Sequence, residues 1–200
     1  MGKLELPICF DEKTHTYTRR SDGALLISAS QLCKLYTLPF DQSGELLRNC
    51  AVREGISPAE MKQRWEDKKN KAADRGTSFH RSVEVFIKTG KILPDENADV
   101  VERFAKLKFA GKLQSEVMLW DFDYMIAGTT DLLEFISDDE IVLRDFKTSE
   151  KLREHAFFGK GKPPKLMLPP LNHLHDANLN HFAIQTGIYS YILDKAGYWI

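Results

Sequence analysis

Residues 112–147 read KLQSEVMLWDFDYMIAGTTDLLEFISDDEIVLRDFK. The runs "KLQSEVMLW", "MIAGTTDLLEFI" and "IVLRDFKT" are rich in β-formers and are separated by short turns, which predicts a three-stranded antiparallel meander. Side chains alternate along a strand, so Asp131, Leu133 and Phe135 share one face, and Ile141, Leu143, Asp145 and Lys147 share another. A three-residue turn at 137–139 sets Phe135 opposite Ile141, Leu133 opposite Leu143 and Asp131 opposite Asp145. A slip of one residue would turn a buried set outward, so this register is the favoured one. The apolar pairs then bury the inner end of the hairpin, and two carboxylates meet at the other. Adjacent carboxylates call for a shared proton, a hard divalent cation or a cationic neighbour, and Lys147 offers the last.

Outward from the meander the period changes. Residues 11–28 carry Thr14, Thr16, Tyr17 and Thr18, then the turn Ser21-Asp22-Gly23, then Ala24 to Ile27, and predict a β-hairpin. Helices are predicted at 30–36 and 43–52. Ser57-Pro58-Ala59-Glu60 forms a capping box with proline at the first helical position. The helix it opens runs to Lys88 and stops at Thr89-Gly90, with Gly76 as the point expected to divide it in two. Further helices are predicted at 97–109 and 178–195. Residues 150–176 are rich in Pro, Gly, Lys and His and predict an irregular, functional stretch. The final Tyr198-Trp199-Ile200 reads as the start of a strand, so a truncated C-terminus is expected. The element order gives an α/β or α+β domain with its sheet flanked by helices. The expectation is one domain over 1–200, with a hairpin and helices in 1–56 and a core in 57–200.

The chain has 200 residues, enough to bury roughly 70% of the unfolded surface without disulfide staples. Cys9, Cys33 and Cys50 are odd in number and widely spaced, which fits free thiols in a reducing compartment. The N-terminus shows no secretory signal, and no apolar run approaches the ~20 residues of a membrane span. A cytoplasmic protein with no membrane partner is expected. The net charge of -1 argues against a generally basic nucleic-acid coat, but the charges are segregated. Residues 62–81 hold seven basic and three acidic side chains, as do residues 144–165, a net +4 each. Residues 116–140 hold eight acidic side chains and no Lys or Arg. Two basic segments beside an acidic one suit a metal site with polyanion-binding walls.

Two helices supply further polar residues. In "RGTSFHRSVE", His80 and Glu84 stand one turn apart with Thr77 on the same side, flanked by Arg75 and Arg81. In "HFAIQTGIYSYIL", Gln185 and Tyr189 stand one turn apart inside an apolar run. Taken singly, these are ordinary structural features.

Together they resemble the RecB-like exonuclease branch of the PD-(D/E)XK nuclease superfamily, whose pattern is GxxxH, GxxD, DxK, QxxxY. The matches are Gly76 to His80, Gly128 to Asp131, Asp145 to Lys147, and Gln185 to Tyr189, in that order. The likeness is to phage and bacterial members, and more distantly to the mitochondrial genome maintenance exonuclease. Thr130 stands in place of the proline of the "PD" signature, and Asp145 where many members carry Glu. The resemblance implies an α/β fold, with a central mixed sheet, the meander at its heart and helices on both faces. It implies hydrolysis of phosphodiester bonds in linear single- or double-stranded DNA with Mg²⁺ or Mn²⁺, in phage or bacterial recombination, repair or degradation. An exonuclease is expected ahead of an endonuclease, inside the bacterial or phage-infected cell. Asp131 and Asp145 with the Phe146 carbonyl would hold the metal, His80 would add a ligand or touch phosphate, and Lys147 would orient water or stabilise developing charge. Glu84 would serve a second metal or orient His80. Gln185, Tyr189, Thr77, Arg75 and Arg81 would support the site or touch DNA. Lys160 and Lys162, with Phe157 and Phe158, would follow a DNA strand. The cysteines all precede His80, so no iron–sulfur cluster is expected. The competing readings are a catalytically inactive DNA-binding module of this fold, and a zinc protein built on His173, His175 and His181.

Overall fold

The computed structural model describes residues 6–40, 44–149, 151–156 and 163–200. Lys160, Lys162, Phe157 and Phe158 lie outside these residues. The chain divides into two compact units. Among the described residues, the first comprises 6–37, 107–146, 151–156 and 163–200, and the second 38–40, 44–106 and 147–149.

The first unit contains β1 (Ile8–Asp11), β2 (Thr16–Arg19), β3 (Leu25–Ser28), α1 (Ala29–Lys34), β4 (Lys112–Asp121), β5 (Ile126–Phe135), β6 (Ile141–Arg144) and α5 (Asn178–Lys195). The second contains α2 (Glu45–Glu54), α3 (Pro58–Thr89) and α4 (Ala98–Ala105). The class is α/β with a mixed sheet, and among the described residues that sheet has six strands in the order β1-β2-β3-β5-β4, with β6 also pairing β5. The expected hairpin is β2–β3, and β1 extends it by pairing with β2.

The meander forms as its alternation demands. Strands β4 and β5 pair antiparallel over their full length, from Lys112 opposite Phe135 to Asp121 opposite Ile126. Phe135 faces Ile141 and Leu133 faces Leu143, the register set by the three-residue turn. Parallel to β5 runs β3, with Ile27 beside Ile126 and Ser28 beside Ala127. One edge of β5 therefore meets β3 at its start and β6 at its end. Residues 128–131 lie between those two contacts. Ser28 closes β3 and opens α1, where its hydroxyl accepts from the Gln31 N–H and the Gln31 side chain accepts from the Ser28 N–H.

Apolar side chains of the sheet divide between two clusters. Leu119, Leu133 and Ile141 pack with Tyr189, Ile192 and Leu193 of α5 and with Ala29 of α1. Ala127 packs with Ile8, Tyr17 and Leu26, joined by Met118 and Trp120. Strict alternation would put Leu133, which stands opposite Gln114, on the side of Met118 and Trp120. It lies instead with Leu119. The alternation slips once in both strands while the pairing register holds. The slip falls where Glu116 adopts a left-handed backbone, φ +52°.

In the second unit α3 is one helix of 32 residues. Its Ser57 hydroxyl accepts from the Glu60 N–H, and Glu60 accepts in return from the Ser57 N–H at 2.8 Å. It ends at Gly90 in the left-handed conformation, φ +70°. Gly76 does not divide it, contrary to the sequence expectation. One glycine costs about 1 kcal/mol of helix propensity, which a helix held at both ends by α2 and α4 absorbs. Helix α4 ends at Ala105, short of the Phe109 expected. Among the described residues, no helix is long and apolar enough to cross a membrane.

Candidate metal centre on the central strand

Asp131 lies on β5 and is buried. Strand β6 stops at Arg144, whose Cα partner is Leu132, so the next step of the register sets Asp131 opposite Asp145. At that step the ladder ends. The Asp131 Oδ2 accepts the Phe146 backbone N–H at 2.5 Å, a carboxylate doing what a strand carbonyl would otherwise do. Asp145 and Lys147 thus fall beyond the strand, and the alternation that placed them on a common face does not apply to them. Two expected site residues, Asp131 and Phe146, are joined directly, and Asp145 adjoins them in sequence.

A third carboxylate belongs with this pair. The β4–β5 register runs unchanged from Ser115 opposite Leu132 to Val117 opposite Thr130, which sets Glu116 opposite Asp131. Carboxylate oxygens of Glu116 and Asp131 approach within 4.8 Å. Sequence reasoning counted Glu116 only as part of an acidic run. The arithmetic that paired Asp131 with Asp145 finds it when applied to the preceding hairpin. Glu116 and Asp131 thus stand side by side on β4 and β5, and Asp145 follows directly on the end of β6. Oxygen donors of this kind suit hard cations such as Mg²⁺ or Mn²⁺. The buried hydroxyls of Ser115 and Thr130, each beside a member of the pair, have no hydrogen-bond partner among the described residues.

Helix α5 backs these carboxylates. Tyr189 is buried, and its phenolic oxygen accepts from the Gln185 amide at 3.1 Å. Burial pushes the Tyr189 phenol far above its ordinary value against the Gln185 hydrogen bond, and the negative charges of Asp145 and Asp131 add to the rise. It therefore stays a neutral donor at any working pH. A side chain at Gly128 would collide with the Tyr189 ring. The glycine of GxxD and the tyrosine of QxxxY are thus one packing unit, which explains why both residue types are present.

The remaining expected residues belong to the second unit. Thr77, His80, Arg81 and Glu84 lie on α3, where His80 is half-buried with its ring edge-on to Phe79 at 6.1 Å. Glu84 pairs with Lys88 one turn on. The Arg75 guanidinium donates to the Thr148 carbonyl at 2.6 Å, and a Cβ on Gly76 would stand 3.6 Å from the Thr148 hydroxyl. The segment that carries Lys147 is therefore fastened to α3 at the Gly76 turn.

The three histidines of the zinc reading are engaged separately. His181 Nε2 pairs with Asp176 at 2.8 Å, the Nδ1 of His175 accepts the Ala156 N–H at 3.3 Å, and His173 is exposed. They form no metal-holding group among the described residues.

Comparison with family models, with curated proteins and with solved structures finds no match to this chain.

Proposed function

We propose that this chain is a divalent-metal-dependent deoxyribonuclease of the RecB-like PD-(D/E)XK type, acting on DNA ends in phage or bacterial recombination, repair or degradation. The observation that carries the reading is the gathering of carboxylates, with Asp131 buried between Glu116 and the Asp145 segment. Carboxylates so gathered repel one another, and a hard divalent cation answers all of them at once. Asp131, Asp145 and Glu116 would hold Mg²⁺ or Mn²⁺, which supplies Lewis acidity and a water of lowered pKa. Asp131 fixes the Phe146 backbone and so the entry to Lys147. Lys147 places an ammonium for the charge that develops on the phosphoryl oxygens. His80 is assigned a ligand or phosphate contact by the resemblance. Tyr189 stays protonated and packs beneath these carboxylates, while Gln185 fixes its hydroxyl.

The test uses end-labelled single- and double-stranded DNA with Mg²⁺ or Mn²⁺, comparing the parent with Asp145→Asn and Lys147→Ala. Shortening from the ends by the parent, reduced at least about 100-fold in both variants, is expected. Absence of cleavage with either metal, or variants that cut like the parent, would falsify the assignment.

A further inference from the structure

Helix α3 carries a feature that folding does not explain. Residues 66–75 are all exposed, ten in succession, so this stretch buries no face, and only Arg75 at its end reaches another segment. A helix that is polar all round draws no stability from burial, and opposite charges spaced three or four apart, such as Lys62–Glu66 and Asp67–Lys71, support it instead. Beside them, Arg64, Lys68, Lys71 and Arg75 fall at spacings of four, three and four residues, within an arc of about 60° on one face. Arg64–Lys68 and Lys71–Arg75 are like-charge pairs one turn apart, which weaken a helix.

Asp67 and Ala72 lie on the same open face as these four. Arg64 makes one exposed contact of 3.5 Å with Glu54, Arg75 holds Thr148, and Asp67 is taken up by the Gln63 amide at 2.9 Å. Among the described residues, Lys68 and Lys71 have no ion-pair partner.

We infer that this stripe is a binding surface for a nucleic-acid backbone. The inference takes its choice of polyanion from the nuclease reading above. The four cations extend over about 16 Å of helix at 1.5 Å per residue. One strand advances about 3.4 Å per nucleotide, so the stripe spans about five phosphates. The stripe is a linear array on one continuous helix, without an aromatic side chain among its cations. It matches a regularly charged chain and reads no bases, so binding is independent of sequence.

The experiment measures binding of a fluorescent 20-nucleotide strand and its duplex by anisotropy, in EDTA to prevent cleavage, across a salt series. The stripe variant is Lys68→Gln/Lys71→Gln. The control Lys62→Gln/Lys69→Gln removes the same charge from other parts of the same helix. The stripe variant should bind at least about 10-fold more weakly, and its log–log salt slope should fall by about 1.5, from 0.7–0.9 per phosphate contact. The control should change affinity less than about 2-fold. Equal losses in both variants reduce the effect to net charge and overturn the proposal. So does undiminished DNA binding by the stripe variant, or binding to anionic vesicles or polyglutamate as strong as to DNA. The two readings separate cleanly: stripe-dependent binding by a parent that never cleaves sinks the nuclease alone, whereas cleavage that is indifferent to the stripe sinks the stripe alone.

Discussion

The Tyr189 ring occupies the space that any side chain on residue 128 would need. Strand β5 and helix α5 approach closely because one offers a bare backbone and the other a flat ring. Gly128→Ala is expected to destabilise the protein by about 1–3 kcal/mol, as overpacking does. Pairing it with Tyr189→Leu, which makes room, should restore part of that loss. Urea denaturation of the two single variants and the double variant checks the coupling. Additive losses would show that the ring and the glycine do not share this space.

Glu116 opposite Asp131 makes a second prediction. In EDTA, Glu116→Gln should be as stable as the parent or slightly more so, because a like charge is removed. Saturating Mn²⁺ should raise the Tm of the parent and raise that of the variant far less. Activity should fall about 100-fold or more with that loss of metal response. A parent whose Tm does not respond to Mn²⁺ would remove the metal from this pair, whatever the activity.

Gly76 and Gly128 should answer alanine in opposite directions. At Gly76 the new Cβ meets only ordinary van der Waals contact, at 3.6 Å, inside a continuous helix. Gly76→Ala is therefore expected to stabilise by about 0.5–1 kcal/mol and to raise Tm by about 1–4 °C. Thermal unfolding followed by circular dichroism measures both. A lowered Tm would mean that the approach of Thr148 is tighter than its distance implies.

Acid should unfold the protein through two anchored carboxylates. The Arg144 guanidinium beside Glu134 holds it below its ordinary 4.5 despite burial, helped by the N–H groups of Ala110 and Gly111. Burial by itself would raise Asp121, but Lys195 and the N–H groups of Asp123 and Tyr124 bring it below its ordinary 3.8. Both folded-state values are depressed, so the stability they contribute is complete above the unfolded values. It is lost as pH falls through the folded ones. The protein should be flat in stability from neutral pH down to about 5 and lose it steeply below about 4. Arg144→Met should move the acid midpoint to higher pH, as followed by tryptophan fluorescence. An unmoved midpoint would mean that Glu134 is not held by Arg144.

The meander was legible in the sequence because period-two alternation and a short turn leave one register in which both strands bury their apolar sides. Phe135–Ile141 and Leu133–Leu143 follow from it. Asp131 was legible for the same reason. Glu116 was within reach of the same pairing arithmetic on the β4–β5 hairpin but stood out only as part of an acidic run; what no alternation rule anticipates is the slip of the residues around it from one face to the other. The end of β6 was also hidden: nothing in "RDFK" announces that Asp131 replaces the ladder at Phe146. Gly76 misled because a break costs packing at both ends of α3, and residue propensity does not register that cost.

The long helix α3 is fixed near its start, where Met61 and Trp65 pack with Leu47 and Ala51, and again where Ser82 and Asn97 are hydrogen-bonded and Phe86 meets Phe104. Its middle third is exposed throughout, tied to another segment by the Arg75 hydrogen bond to the Thr148 carbonyl at its far end. Helices ordinarily fray from their termini, but this one has its weak point at the centre. Amide exchange should run fastest at residues 66–75 and slowest in the two anchored turns that bracket them. A rod pinned at both ends and loose between them can bow by local opening without leaving its anchors.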